Sequence, residues 1–133
     1  MKPLNYLLIA LSTIVFCSYA SAEGDGDGGG VQYVPLSPAI ITNYQSKNLS
    51  YVKAEITLQV SGSATAEAID RHLPFIRHNL VMLFSRQDET SLTSPDGKIK
   101  LKEDALAAVV AALDEESEPS DIEAILFTSF IVE

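Results

Sequence analysis

Cysteine, histidine and basic side chains are scarce in this chain, and each scarcity removes a class of chemistry. The one cysteine among 133 residues, Cys17, lies inside an apolar run near the N-terminus. Bulky Phe16 precedes it where a lipid-attachment signal would carry a small residue, so a lipid anchor is not expected. Without that run the chain has no thiol, and neither a disulfide framework nor a thiolate site can form. The two histidines, His72 and His78, lie six apart on one expected helix. At 100° per residue that is about 600° of rotation, so they face different sides and cannot share a metal. Lysine and arginine number 9 against 18 acidic residues. Phosphate backbones and anionic lipid surfaces repel such a chain, and no nucleic-acid partner is expected.

Catalytic signatures are missing as well. No strained Gly-x-Ser-x-Gly elbow occurs, and the Gly-rich tract precedes every expected strand and helix, so it cannot cradle a phosphate between them. Asp25 and Asp27 alternate with glycine but lack the spacing and the positioned glutamate of a calcium loop. Asp114, Glu115, Glu116, Glu118 and Asp121 surround Pro119 without ligand order, which reads as a solubilising loop. No catalytic, cofactor-binding or metal-ligating residue is assigned, no cofactor is expected, and no internal repeat is visible.

What is present begins with Met1 to Ala22, where Lys2 is followed by an apolar run and then Ala20-Ser21-Ala22. Small residues at those positions match signal-peptidase cleavage, with Ala20 and Ala22 read by the enzyme and Glu23 as the new N-terminus. Leu4 to Ala20 is 17 residues, the short edge of what spans a hydrocarbon core of about 30 Å, so without cleavage the segment would serve as a membrane anchor. Residues 23–30 read EGDGDGGG, a flexible linker with nothing apolar to bury. Residues 31–133 form the one expected domain. The hydrophobic fraction of 47% suffices for a modest core.

Pro35 and Pro38 hold an extended path after Val31, leading into a short β-prone run at Ala39 to Tyr44 read as an edge strand. Tyr51 to Val60 alternates strictly, with Val52, Ala54, Ile56, Leu58 and Val60 on one face. Ser63 or Thr65 is positioned to cap the next helix, whose stripe is Ile69, Leu73, Ile76, Leu80, Leu83 and Phe84. Pro74 removes a hydrogen bond within it and predicts a bend or split. Ser94-Pro95 starts a second helix to about Asp114, with Ile99, Leu106, Val109, Val110 and Leu113 inward. Ile122 to Val132 is almost continuously apolar and reads as a strand covered on both faces, central in its sheet. The order strand, strand, helix, helix, strand gives an α+β domain with a small antiparallel sheet packed against two helices.

Several of these segments, taken together over Val31 to Glu133, resemble the FliL family of flagellar basal body-associated proteins. They are the Tyr33-Val34-Pro35 opening, the strand from Leu49, the helix from Pro74 with its Ile76-Arg77 pair, and Leu92 to Lys98. The closing strand, with Phe127-Thr128 and Phe130-Ile131-Val132, is the most specific. The resemblance implies a non-enzymatic domain of stomatin and prohibitin type that supports motility. It further implies assembly as a homo-oligomer beside flagellar stator or basal-body proteins, in the periplasm at the inner membrane. Family members begin with a basic cytoplasmic segment and an uncleaved membrane helix, which a signal-like segment and short linker replace here. Membrane contact is expected only where that segment is retained, and a soluble periplasmic adapter acting away from the motor is the alternative.

Overall fold

A computed structural model describes residues 30–133. The expected signal segment, its cleavage residues Ala20, Ala22 and Glu23, and nearly all of the linker lie outside the described residues. Eight elements follow: β1 (Val31–Pro35), β2 (Ile40–Asn43), β3 (Tyr51–Ser61), α1 (Ser63–Arg71), α2 (Leu73–Ser85), α3 (Glu89–Thr93), α4 (Pro95–Glu115) and β4 (Ile122–Val132).

The alternating strand is the hub. β3 pairs antiparallel with β2 along its first half and with β1 along its second half, both on one side, and with β4 along its other side. Val52, Ala54, Ile56, Leu58 and Val60 are buried, as the period-2 pattern requires. Residues 31–35, expected only as an extended path, form a strand because β3 is long enough to accept a second partner beyond β2.

β4 is an edge strand rather than a central one, and only Ile125 on it is buried. Its nearly continuous apolar run comes from two irregularities in its register, at Glu55/Ile56 and Gln59/Val60 of the partner, where β4 carries an extra residue each time. The side chains opposite the buried β3 row are therefore Val132, Phe130, Phe127, Ile125 and Ile122, at spacings of two or three. Bulges of this kind hide the period-2 alternation, and apolar outer-face residues such as Leu126 and Ile131 fill the rest. A half-covered strand thus mimics a fully buried one.

The long helix expected to bend at Pro74 is divided at His72, and Pro74 occupies the first turn of α2, where its missing N–H costs nothing. Neither Ser63 nor Thr65 caps α1: Gly62, at φ 86°, occupies that position, and Thr65 is buried with its hydroxyl accepting from the Asp121 N–H at 3.2 Å. Ser94 does cap α4, accepting from the Gly97 N–H at 3.0 Å, with Pro95 following. The polar stretch before it contains α3, capped by Asp88. Gly97 lets α3 lie against the start of α4, since a β-carbon there would sit 2.5 Å from the Ser91 carbonyl oxygen. The buried face of α4 is Leu101, Ala105, Val109, Ala112 and Leu113, while Ile99 stands 60% exposed.

The core lies between the inner sheet face and the helices. Fully buried Phe84 of α2 meets Phe127 and Phe130 at centroid distances of 6.1 and 6.3 Å, and those two rings stack at 5.5 Å. Since Phe84 ties the helix layer to the edge strand, Phe84→Ala should destabilise the domain by about 3–5 kcal/mol. Thermal and urea unfolding of the two proteins would measure it, and a loss under about 1 kcal/mol would mean the site collapses around the vacancy.

Candidate interaction surface

Among the described residues no group of three His, Cys, Asp or Glu side chains could hold a metal. His78 is exposed on α2, lining an open groove of about 380 Å³ with Met82, Arg86 and Ala111, whereas His72 sits at the junction of α1 and α2. The histidines therefore do different things.

His72 belongs to an ion-pair latch. Its Nε2 lies 3.0 Å from Glu118 Oε1, and Arg71 donates to both Glu118 oxygens at 3.2 and 3.0 Å. The acidic loop after α4 is thus tied to the α1–α2 junction, and Ser120 donates to Asp114 within it at 2.8 Å. Arg71 first, and His72 second, hold the Glu118 carboxyl below its ordinary value. Carboxylates gather at this end of the molecule, where Ser61 N–H donates to the Asp121 carbonyl and Gly62 N–H to the Gly30 carbonyl. The described chain enters the fold at this acidic pole.

Arg77 performs the other anchoring task. From the middle of α2 its guanidinium donates to the carbonyls of Leu36 at 3.1 Å, of Pro38, and of Ala39 at 3.3 Å. A planar fork with five donors suits converging carbonyls, and these belong to the loop between β1 and β2, which has no ladder of its own. That loop contains the cis Ser37–Pro38 bond, and it borders a cleft of about 300 Å³ beside Glu55, Thr57 and Thr128. Ile76, next to Arg77, is fully buried, so the Ile-Arg pair puts one residue in the core and the next on the loop.

The remaining motif residues divide by sheet face. Phe127, Phe130 and Val132 face the helices, Thr128 donates to the Glu55 carbonyl at 3.3 Å, and Pro35 ends β1 in solvent. Tyr33 points outward from β1 and is 61% exposed. Ile41 on β2, Lys53 on β3 and Ile131 on β4 stand in one row across that outer face, and Tyr51 adjoins it, its hydroxyl donating to Glu133. Ile41 is 61% exposed and Ile131 42%, and Leu49 in the nearby loop is almost wholly so. Ile41 and Ile131 flanking Lys53 on the outer face, beside the side of β4 that pairs with no strand among the described residues, are the feature best suited to contact another protein.

Sequence reasoning missed the Arg71–His72–Glu118 latch, the Tyr51–Glu133 bond and the Lys98 ammonium 5.8 Å over the Phe130 ring. Each joins residues distant in the chain, for which local spacing carries no signal. The outer row could have been found from the polar half of the alternation, where Ile41 and Ile131 stand out once the register is known. No helix among the described residues is long and apolar enough to cross a membrane.

Comparison with known proteins matches residues 33–132 to the family model for flagellar basal body-associated protein FliL. Flagellar protein FliL of Escherichia coli K12 is 32% identical over 77 residues, 58% of this chain and 50% of that protein. Flagellar protein FliL of Aquifex aeolicus VF5 is 24% identical over 105 residues, covering 78% of this chain and 62% of its own length. The chain therefore spans about half to three-fifths of the curated relatives it matches.

Two substitutions test the anchors. Arg77→Met should cost about 1.5–3 kcal/mol of stability, because charge-assisted bonds are lost and loop carbonyls are left unanswered, with Arg77→Lys recovering part of it. Urea denaturation reads this directly. For Glu118, whose carboxyl titrates lower in the folded than in the unfolded chain, the stabilisation is present above the ordinary carboxylate value of about 4.3 and is lost as pH falls through the lower folded value. Wild type should thus exceed Glu118→Gln in stability at pH 7, with the gap narrowing as pH falls below the ordinary carboxylate value.

Proposed function

The chain belongs to the FliL family of flagellar basal body-associated proteins, and from that premise we propose that it supports motility as a non-enzymatic protein of the flagellar motor. The match across the folded span, from β1 to the end of β4, carries this reading. Assembly next to the stator, oligomerisation with further copies, and a place in the periplasm at the inner membrane belong to the same proposal, as does kinship with the stomatin and prohibitin type of domain. Its physical support is a domain with Ile41, Tyr51 and Ile131 exposed on its outer face and a strand edge that pairs with no other strand among the described residues, features of a protein that works by contact.

The electrostatics agree with a domain held off the bilayer. The chain enters at the acidic pole, and a net charge of −9 is repelled by anionic headgroups. In this reading residues 1–22 either anchor the chain or are removed after Ala22, and residues 23–30 give reach between membrane and domain. Removal yields the second form of the proposal, a soluble periplasmic adapter with the same fold, which the small residues Ala20 and Ala22 favour.

Deleting the gene without disturbing its neighbours should shrink the swimming zone in soft agar, and expression in trans should restore it. A fluorescent fusion should form foci that disappear in a strain lacking the basal body. Normal swimming together with diffuse fluorescence would move the protein away from the motor.

A further inference from the structure

The outer side of β4 is an open docking edge, and the geometry points to an extended segment of a different protein, apolar in alternation and flanked by lysine or arginine, as its occupant. This rests on the reading that the chain works by binding a motor partner, and it names the binding mode.

The edge is defined by its hydrogen bonds. Among the described residues β4 pairs only with β3. Tyr51 and Glu133 exchange both backbone bonds, at 2.7 and 2.9 Å. In an antiparallel ladder bonded and non-bonded pairs alternate, so Ile131 and Ser129 bond to Lys53 and Glu55, while Phe130 and Val132 turn their N–H and C=O groups outward. From Ser129 to Val132 the register with β3 runs without a shift, so this stretch is a regular template for another strand. Its side chains are already held by the stacked Phe127 and Phe130 rings and by Val132 opposite Val52, so a guest strand meets a preorganised edge.

Exposed edges are usually blocked by lysine, proline, an inward charge or a bulge, and the two bulges of β4 lie before Ser129, outside the regular stretch to Val132. β4 contains no lysine, arginine or proline between Ile122 and Val132. Its one charge is Glu123, whose carboxylate accepts from Gln59 and Ser61, while Glu133, which accepts from the Tyr51 hydroxyl, follows its end and Asp121 precedes its start. That pattern selects the guest. Antiparallel pairing of two copies along β4 would set the Glu123 end of one against the Glu133 end of the other, and like charges placed opposite each other are destabilising. A strand with cationic ends meets a carboxylate at either end and finds Ile131 and Leu126 for its apolar side chains on the outer face.

The test uses the full chain and the synthetic peptide KKTVTVTVTKK, with EETVTVTVTEE as its acidic counterpart. Saturating basic peptide should slow amide hydrogen exchange at Phe130 and Val132 by about tenfold, the equivalent of one new backbone hydrogen bond each. Exchange at Ser129 and Ile131, bonded already to β3, should change little. Affinity should fall with added salt and drop about two- to fivefold in Glu133→Lys. Ile131→Lys, an exposed outer-face change that leaves the core intact, should weaken binding while the circular dichroism spectrum stays that of the wild type. Unchanged exchange at Phe130 and Val132, or equal protection by the acidic peptide, would overturn the proposal. Protection in the free chain that vanishes on dilution would also overturn it, by giving the edge to a second copy. Normal swimming in the deletion strain would remove the motor reading and leave the exchange result standing.

Discussion

Everything in this domain hangs on β3. It is the partner of every other strand, and its inner row of Val52, Ala54, Ile56, Leu58 and Val60 is the floor on which the helices rest. A strand flanked on both sides has all its backbone groups answered inside the sheet, and alternation lets one face be apolar and the other wet. The outer face can then carry Tyr51, Lys53, Glu55, Thr57 and Gln59 at no cost to the core. A one-residue slip of β3 would exchange the two faces, which is why its pattern is strict while those of its partners are not.

The partners are attached by different means, and those means explain the motif residues. β1 and β2 share one side of β3, and the loop between them is held by the Arg77 fork. β4 takes the other side and adapts to it with two bulges, then is fastened from beneath by Phe84. The acidic loop leading into β4 is fastened in turn by Arg71 and His72 through Glu118. Of the motif residues, Arg77, Phe127 and Phe130 are thus points where a helix grips a strand or its loop, whereas Tyr33, Pro35 and Thr128 are exposed.

Arg71, His72 and Arg77 stabilise loops, and exposed apolar residues concentrate on the outer sheet face at Val31, Tyr33, Ile41, Tyr51 and Ile131, with Met82 and Ile99 standing alone on α2 and α4. The acidic pole lies where β1 begins, while Ile41, Tyr51 and Ile131 lie toward the other end of the strands.

The chain by itself determined the alternation of β3, the apolar face of α2, the Ser94-Pro95 helix start and the family, because each is written in short-range spacing or in a local motif, whereas the face of α4 shared only Val109 and Leu113 with the expected one. Tertiary structure decided the rest. It left β4 paired with β3 alone among the described residues, and the bulges, set by the fit to that neighbour, leave a spacing that reads as continuous burial. It gave the cap of α1 to Gly62, because Thr65 is drawn inward to answer the Asp121 N–H. It also turned Arg77, His72 and Glu118 into clamps, because a long polar side chain reaches whatever donors or acceptors the fold brings near, and sequence spacing does not encode that proximity.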